Sequence, residues 1–300
     1  MITVFGSINM DLIATTDRLP KPGETVAGNS FATAAGGKGA NQALAARRAG
    51  RYVHMAGAVG KDGFAADALA LLDDAGTDLS LVKHVDGPTG TALILVGGDG
   101  ENMIAVVPGA NGLVTAADAE TAVGKMSEGD ILMLQLEVPV DAVERALSEA
   151  RVRGVTSILN LAPLTPDAPR LGRLADIVIA NETEFERLAG QDGMDAEARE
   201  AALHRLHQET GQTLIVTLGG DGVIAIRNGV ISRAQGLKIE PVDTVGAGDT
   251  FCGYFTASLD EGLRIFASAL RRAAVAGSLA CLKAGAQPSI PLSQDVADRI

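Results

Sequence analysis

The sequence contains no tryptophan, two tyrosines and seven phenylalanines, so aromatic residues make up only 3% of it. The core must therefore be built from aliphatic side chains, and intrinsic fluorescence would report ligand binding poorly. There are two cysteines, Cys252 and Cys281, in apolar helix-forming surroundings and without CxxC spacing. That excludes a disulfide framework, argues against a zinc site, and suits a reduced, cytoplasmic protein. Basic residues are scarce beside acidic ones, 25 against 37, giving a net charge of −12 and a pI near 4.8. Such a balance disfavours nucleic acid and anionic membrane surfaces as partners. It leaves room for local capture of an anion by backbone N–H groups. No apolar run approaches the roughly 18 residues that would span a bilayer. The opening MITVFGSIN has neither a basic stretch nor a long apolar one, so no signal peptide is expected.

What is present is a chain of 300 residues, 47% of them hydrophobic, with 36 glycines. That is enough for one sizeable α/β domain, residues 1–300, with many tight turns. Strands are expected at Ile2–Phe5, Leu12–Thr16, Val26–Thr33 and Tyr52–Val59. Helices are expected at Ala40–Ala49, with Gly50 closing it, and at Phe64–Ala75. Two β-branched runs, Thr91–Val96 and Met103–Val107, flank Gly97-Gly98-Asp99-Gly100 as a hairpin. Strands (Ile131–Leu136, Val155–Asn160, Ile177–Ala180, Thr213–Leu218) and helices (about 115–126, 140–153, 183–188, 196–209) then fill the middle of the chain. A hairpin turns at Asn228-Gly229, and helices at about 247–259 and 263–283 finish the chain. Strand–helix alternation predicts a three-layer αβα sandwich on a mostly parallel sheet. The segments at about 10–35 and 90–107 break the alternation and are expected to form a small β-sheet lid.

Three familiar nucleotide motifs are missing. Gly6 is followed by Ser7 and Ile8, which is not the dinucleotide G-x-G-x-x-G. Gly37-Lys38 lacks the Ser/Thr and the first glycine of a P-loop. Neither H-R-D nor D-F-G occurs. Instead, Asp243-Thr244-Val245-Gly246-Ala247-Gly248-Asp249-Thr250-Phe251 opens an apolar helix. Gly246, Ala247 and Gly248 allow consecutive N–H groups to converge where the helix dipole favours anions. Asp249, in the first turn, is placed to act as base beside such an anion hole. Taken alone, the same turn reads equally as an Asp-capped helix start.

The N-terminal third adds a second constellation. Asn9 and Asp11 fall on one side of a strand. Gly36-Gly37-Lys38-Gly39-Ala40-Asn41 opens a helix. Asn, Asp, Lys and Asn are the donors and acceptors that a polyol site requires. Met10, between the two acceptors, reads as a core residue or a border of the sugar. His204 and His207 share a helix face without a third ligand, and the acidic stretch 182–200, Glu182 and Glu184 excepted, reads as a solvated face.

With both constellations in view, the chain resembles the ribokinase, or PfkB, family of carbohydrate kinases. GSINMD, PGET (Pro22–Thr25), GGKGAN, QLE (Gln135–Glu137), NETE (Asn181–Glu184), TLG (Thr217–Gly219), DTVGAGDTF and GAQPS (Gly285–Ser289) follow in the family's order. The resemblance implies ATP-dependent phosphorylation of a sugar's primary hydroxyl, with D-ribose favoured. It leaves 2-deoxyribose, another sugar or a nucleoside open, and a silent sugar-binding regulator as the distant alternative. It implies sugar contacts from Asn9, Asp11, Gly37, Lys38, Asn41 and Glu137, and catalysis by Asp249 with Gly246, Ala247 and Gly248. Asn181 and Glu184 match positions near Mg²⁺ and the nucleotide phosphates, although the same pair also reads as a helix N-cap with its capping-box partner, and Thr217, Gly219 and Gly222 match the nucleotide loop. Asp243, Val245, Ala280, Lys283, Gly285 and Ser289 match positions around a monovalent cation, usually K⁺. It also implies a homodimer formed through the lid.

Overall fold

The computed structural model describes residues 1–259 and 266–300. The chain begins β1 (Ile2–Phe5), β2 (Asn9–Thr16), β3 (Gly28–Gly36), α1 (Lys38–Arg48), β4 (Val53–Gly60), α2 (Ala65–Asp74), β5 (Asp78–Val85), β6 (Gly90–Val96) and β7 (Asn102–Val107). It continues α3 (Ala116–Gly124), β8 (Ile131–Leu134), α4 (Val140–Arg153), β9 (Thr156–Asn160), α5 (Ala168–Gly172), β10 (Ile177–Asn181), α6 (Glu182–Ala189) and α7 (Ala196–Thr210). It ends β11 (Thr213–Thr217), β12 (Val223–Arg227), β13 (Val230–Ala234), α8 (Ala247–Ala257), α9 (Phe266–Ala280), α10 (Ala286–Ser289) and α11 (Ser293–Ala297).

Nine strands form the central sheet in the order β13-β12-β11-β10-β9-β8-β1-β4-β5. Seven of them, β11 through β5, are mutually parallel, and the β12–β13 hairpin closes one edge antiparallel to β11. The hairpin turns at Asn228 (φ 50°) and Gly229 (φ 74°), the paired positive dihedrals that a two-residue turn demands. Successive residues of the inner strands face opposite layers. Ile177, Ile179 and Ile215 pack with residues of α1, α8 and α9. Val178, Leu214 and Val216 pack with residues of α3, α4 and α7. Burying both faces explains why these strands read as continuous apolar runs.

β3-β2-β6-β7 form a separate four-stranded sheet, built on the segments that broke the strand–helix alternation. β1 passes into β2 through Gly6, Ser7 and Ile8 alone, and the chain crosses between the sheets again at Gly37, at residues 86–89 and after β7. Asn111, in a 3₁₀ turn after β7, bolts the first of these junctions. Its side chain accepts from Ile8 N and donates to Ile8 O and to Asn9 Oδ1.

Three expectations are corrected. β5 was not foreseen. β8 stops at Leu134, so Gln135–Glu137 leave the sheet and enter the site. The last long helix ends at Ala280 rather than Lys283, because the Cys281 carbonyl turns out to accept from Val242 N and Asp243 N. Its expected start at Leu263 lies outside the described residues. Met10 is buried in the core.

Candidate active site

Asp249 is the third residue of α8 and is 7% exposed. Gly246 caps that helix with φ 77°, and a Cβ on it would lie 2.9 Å from Ala286. Glycine is required there on both counts. The first turn of any helix leaves N–H groups without helical partners. Gly246 and Gly248 line a cavity of about 230 Å³ together with Lys38, Asn160, Asn181, Glu184, Thr217, Thr244, Asp249 and Cys252, among others, whereas Ala247 does not line it and its N–H donates to Thr244 O at 3.3 Å.

One of the expected sugar-side residues reaches the same carboxylate. Asn41 Nδ2 donates to Asp249 Oδ2 at 2.9 Å, across 208 residues of sequence. Gly37 has φ 87°, and a Cβ on it would strike Asn9 N at 2.7 Å, so the glycine turn presses α1 against the end of β2. Glu137 accepts from Ser7 Oγ at 2.5 Å and from Lys38 N at 3.2 Å. Lys38 is half-buried, and its pKa is raised chiefly by the charge of Asp249, then by Glu137 and Glu184. Asp11 is pushed up to about 6, mainly by burial and then by the charges of Glu137 and Asp249. The cage thus holds one ammonium among several carboxylates, with neutral amides between them.

On the nucleotide side, Asn181 and Glu184 form a reciprocal helix cap. Asn181 Oδ1 accepts from Glu184 N at 2.8 Å, and Glu184 Oε2 accepts from Asn181 N at 2.9 Å. Glu184 is buried, and burial raises its pKa. Gly219 and Gly222 lie in the turn after β11, where Leu218 N donates to Gly222 O at 2.8 Å, and they do not line the cavity. The Asp243 carboxylate accepts from Val245 N at 3.0 Å and Gly285 N at 2.8 Å, which brings the two loops assigned to the cation together. Ala280 and Ser289 are buried, and Lys283 is exposed. Among the described residues no His/Cys/Asp/Glu cluster suits a metal, and His207 instead braces the β12–β13 turn by accepting from Gly229 N. The acidic stretch gains a salt bridge, Glu182 to Arg199 at 2.6 Å.

Two groups escaped sequence reasoning. Asn111 touches Asn9 but sits in a turn with no motif around it. Gln42 donates to Asp249 Oδ1 at 2.9 Å. Its adjacency to Asn41 was the only available signal.

A buried carboxylate at a helix N-terminus, flanked by a polyol cage on one side and an anion-receptive cavity on the other, is the arrangement of a small-molecule phosphotransferase. The model of the pfkB family carbohydrate kinases matches residues 1–292. The chain belongs to that family, and it is a carbohydrate kinase with an alcohol acceptor. It is 36% identical over 296 residues to ribokinase of Haemophilus influenzae, covering 98% of this chain and 96% of that one. It is 37% identical over 302 residues to ribokinase of Bacillus subtilis, covering 98% and 97%. The solved structure of Arabidopsis thaliana ribokinase complexed with ribose and ATP superposes with a TM-score of 0.87 at 32% identity, covering 99% of this chain and 97% of that one.

Proposed function

We propose that the chain transfers the γ-phosphoryl group of ATP to the primary hydroxyl of D-ribose, giving ribose 5-phosphate and ADP. The observation that carries this reading is the placement of Asp249, whose carboxylate is bonded to the sugar-side Asn41 while it borders the cavity at the start of α8. The names of the relatives, and ribose with ATP in the Arabidopsis structure, support ribose as the acceptor.

In this reading Asn9, Asp11, Gly37, Lys38, Asn41 and Glu137 hold the ring hydroxyls. Asp249 orients the primary hydroxyl and takes its proton late, since an alcohol is far too weak an acid to give its proton to a carboxylate beforehand. Positioning and charge stabilisation by the Gly246–Gly248 N–H groups then carry most of the acceleration. Asn181, Glu184, Thr217, Gly219 and Gly222 serve the nucleotide side. Buried Glu184 offers the hard anionic oxygen that Mg²⁺ favours, and when bound Mg²⁺ would neutralise phosphate charge. The loops of Asp243, Val245, Ala280, Lys283, Gly285 and Ser289 supply carbonyl oxygens, which suit a monovalent cation such as K⁺. The small sheet acts as a lid over the sugar and as the contact of a homodimer. Two free thiols fit a reducing, cytoplasmic setting.

The test is ADP release with ribose, 2-deoxyribose, fructose and adenosine, with and without K⁺. Ribose should give the highest kcat/KM, and K⁺ should raise it. Asp249→Asn should lower kcat on the order of 10²-fold or more. Preference for another acceptor would overturn ribose, and near-normal turnover in a folded Asp249→Asn would overturn the base.

A further inference from the structure

Behind Asp249 lies a row of buried amides. Gln42 and Gln135 are both fully buried. Gln42 Nε2 donates to Asp249 Oδ1 at 2.9 Å and to Asn160 Oδ1 at 3.1 Å. With Asn41 Nδ2 on Oδ2 at 2.9 Å, each carboxylate oxygen is held by one amide. Asn41 and Gln42 are consecutive on α1 and so grip from directions about 100° apart around the helix. A carboxylate has about four acceptor sites, and two remain for a substrate hydroxyl.

Chemistry fixes which way the Gln42 amide points. Turned over, its oxygen would face the oxygens of both Asp249 and Asn160. In the favourable orientation Oε1 faces away, and there Gln135 Nε2 donates to it at 2.7 Å. Gln135 achieves this at a cost, because its own Oε1 is buried without a partner among the described residues. A Cβ on Gly6 would lie 1.9 Å from that oxygen, so the neighbouring backbone leaves room for it. An unpaired buried amide oxygen is destabilising, and an apolar side chain at this position would avoid it only by leaving Gln42 Oε1 without its donor. Packing alone therefore does not account for Gln135, whereas orienting Gln42 does.

We propose that Gln42, oriented by Gln135, is a positioning residue that holds the Asp249 carboxylate in the rotamer facing the sugar hydroxyl. This rests on Asp249 being the group that receives the hydroxyl proton.

The variants Gln42→Leu, Gln135→Met and their combination test it. Gln42→Leu should lower kcat about 10–100-fold and Gln135→Met about 3–10-fold, with both KM values within about 3-fold of wild type. Because Gln135 acts through Gln42, the double variant should be no slower than Gln42→Leu. A Gln135→Met enzyme with wild-type kcat, multiplicative losses in the double variant, or losses confined to KM would each overturn the proposal. A second readout needs no turnover. The Gln42 side-chain amide, assigned by NMR through its absence in Gln42→Leu, should exchange slowly in wild type and lose that protection in Gln135→Met. Protection unchanged in Gln135→Met would sink the relay. A wild-type protein inert on every sugar would instead condemn the kinase reading while leaving this amide test in force.

Discussion

Asp11 concentrates the electrostatics of the site in one side chain. Its carboxyl is packed against the Gly36 backbone, and its pKa of about 6 comes first from burial and then from two neighbouring carboxylates, offset in part by Lys38. A sugar hydroxyl donates best to the ionised form. The KM for the sugar should therefore rise as pH falls from about 7 to 5, and in Asp11→Asn it should be higher and insensitive over that range. The stability effect has the opposite sense. The folded protein binds this proton more tightly than the unfolded chain, so stability is fully present below about pH 4 and is lost as pH rises through about 6. Asp11→Asn should then melt higher than wild type at pH 7, and the gap should close toward pH 4 in thermal scans. A gap that widened on acidification would contradict burial as the cause. Asp11, Asn9 and Asp249 were legible in the sequence because strand alternation and helix-start chemistry operate over a few residues. Asn111 and Gln42 were not, because a neutral amide joins the site only through partners 102 and 207 residues away.

At the scale of elements, α6 depends on its first residues. The reciprocal Asn181–Glu184 cap both starts the helix and fixes a carboxylate at the cavity wall. Asn181→Ala should cost about 1 kcal/mol of stability. By loosening Glu184 it should also raise the KM for MgATP more than that for the sugar, in steady-state kinetics varying each substrate in turn. Equal changes in both would mean the cap serves the fold alone. This helix start was readable from the Asn-x-x-Glu spacing. β5 was not, because Asp78–Val85 carries a lysine and a histidine and is only half-buried at the sheet's edge, so neither period stands out. The exits of β8 and α9 were misjudged for a related reason. Tertiary hydrogen bonds ended those elements, where local propensity would have continued them.

At the scale of the molecule, alternation of strands and helices was enough to foresee a parallel sheet. The order in which nine strands lie side by side was not foreseeable, since it depends on contacts between distant segments. The small sheet exposes Phe31, Leu93, Met103 and Val107 on one face, and Ile104 and Val106 on the face that also carries Asn9 and Asp11, the latter an apolar surface at odds with the chain's net charge of −12. A dimer formed through this surface should sediment as two chains at micromolar concentration, and Ile104→Asp should return it to one. A wild type that sediments as a monomer would refute the lid interface.

All the junctions, at Gly6–Ile8, Gly37, residues 86–89 and Pro108, lie at the same end of the small sheet, so a tilt about them would make it a lever. Asn9 and Asp11 lie beside its fulcrum, and Phe31 and Met103 lie out along the arm, paired with Ala14 and Leu95. Eight strand residues span about 27 Å, so a tilt of about 10° sweeps the tip by roughly 5 Å while moving the fulcrum by less than about 1 Å. A tilt of that size would open a path for a sugar while leaving Asn9 and Asp11 nearly in place. If the arm's apolar face is shared between two subunits, one subunit's swing is felt by the other before any ligand reaches it.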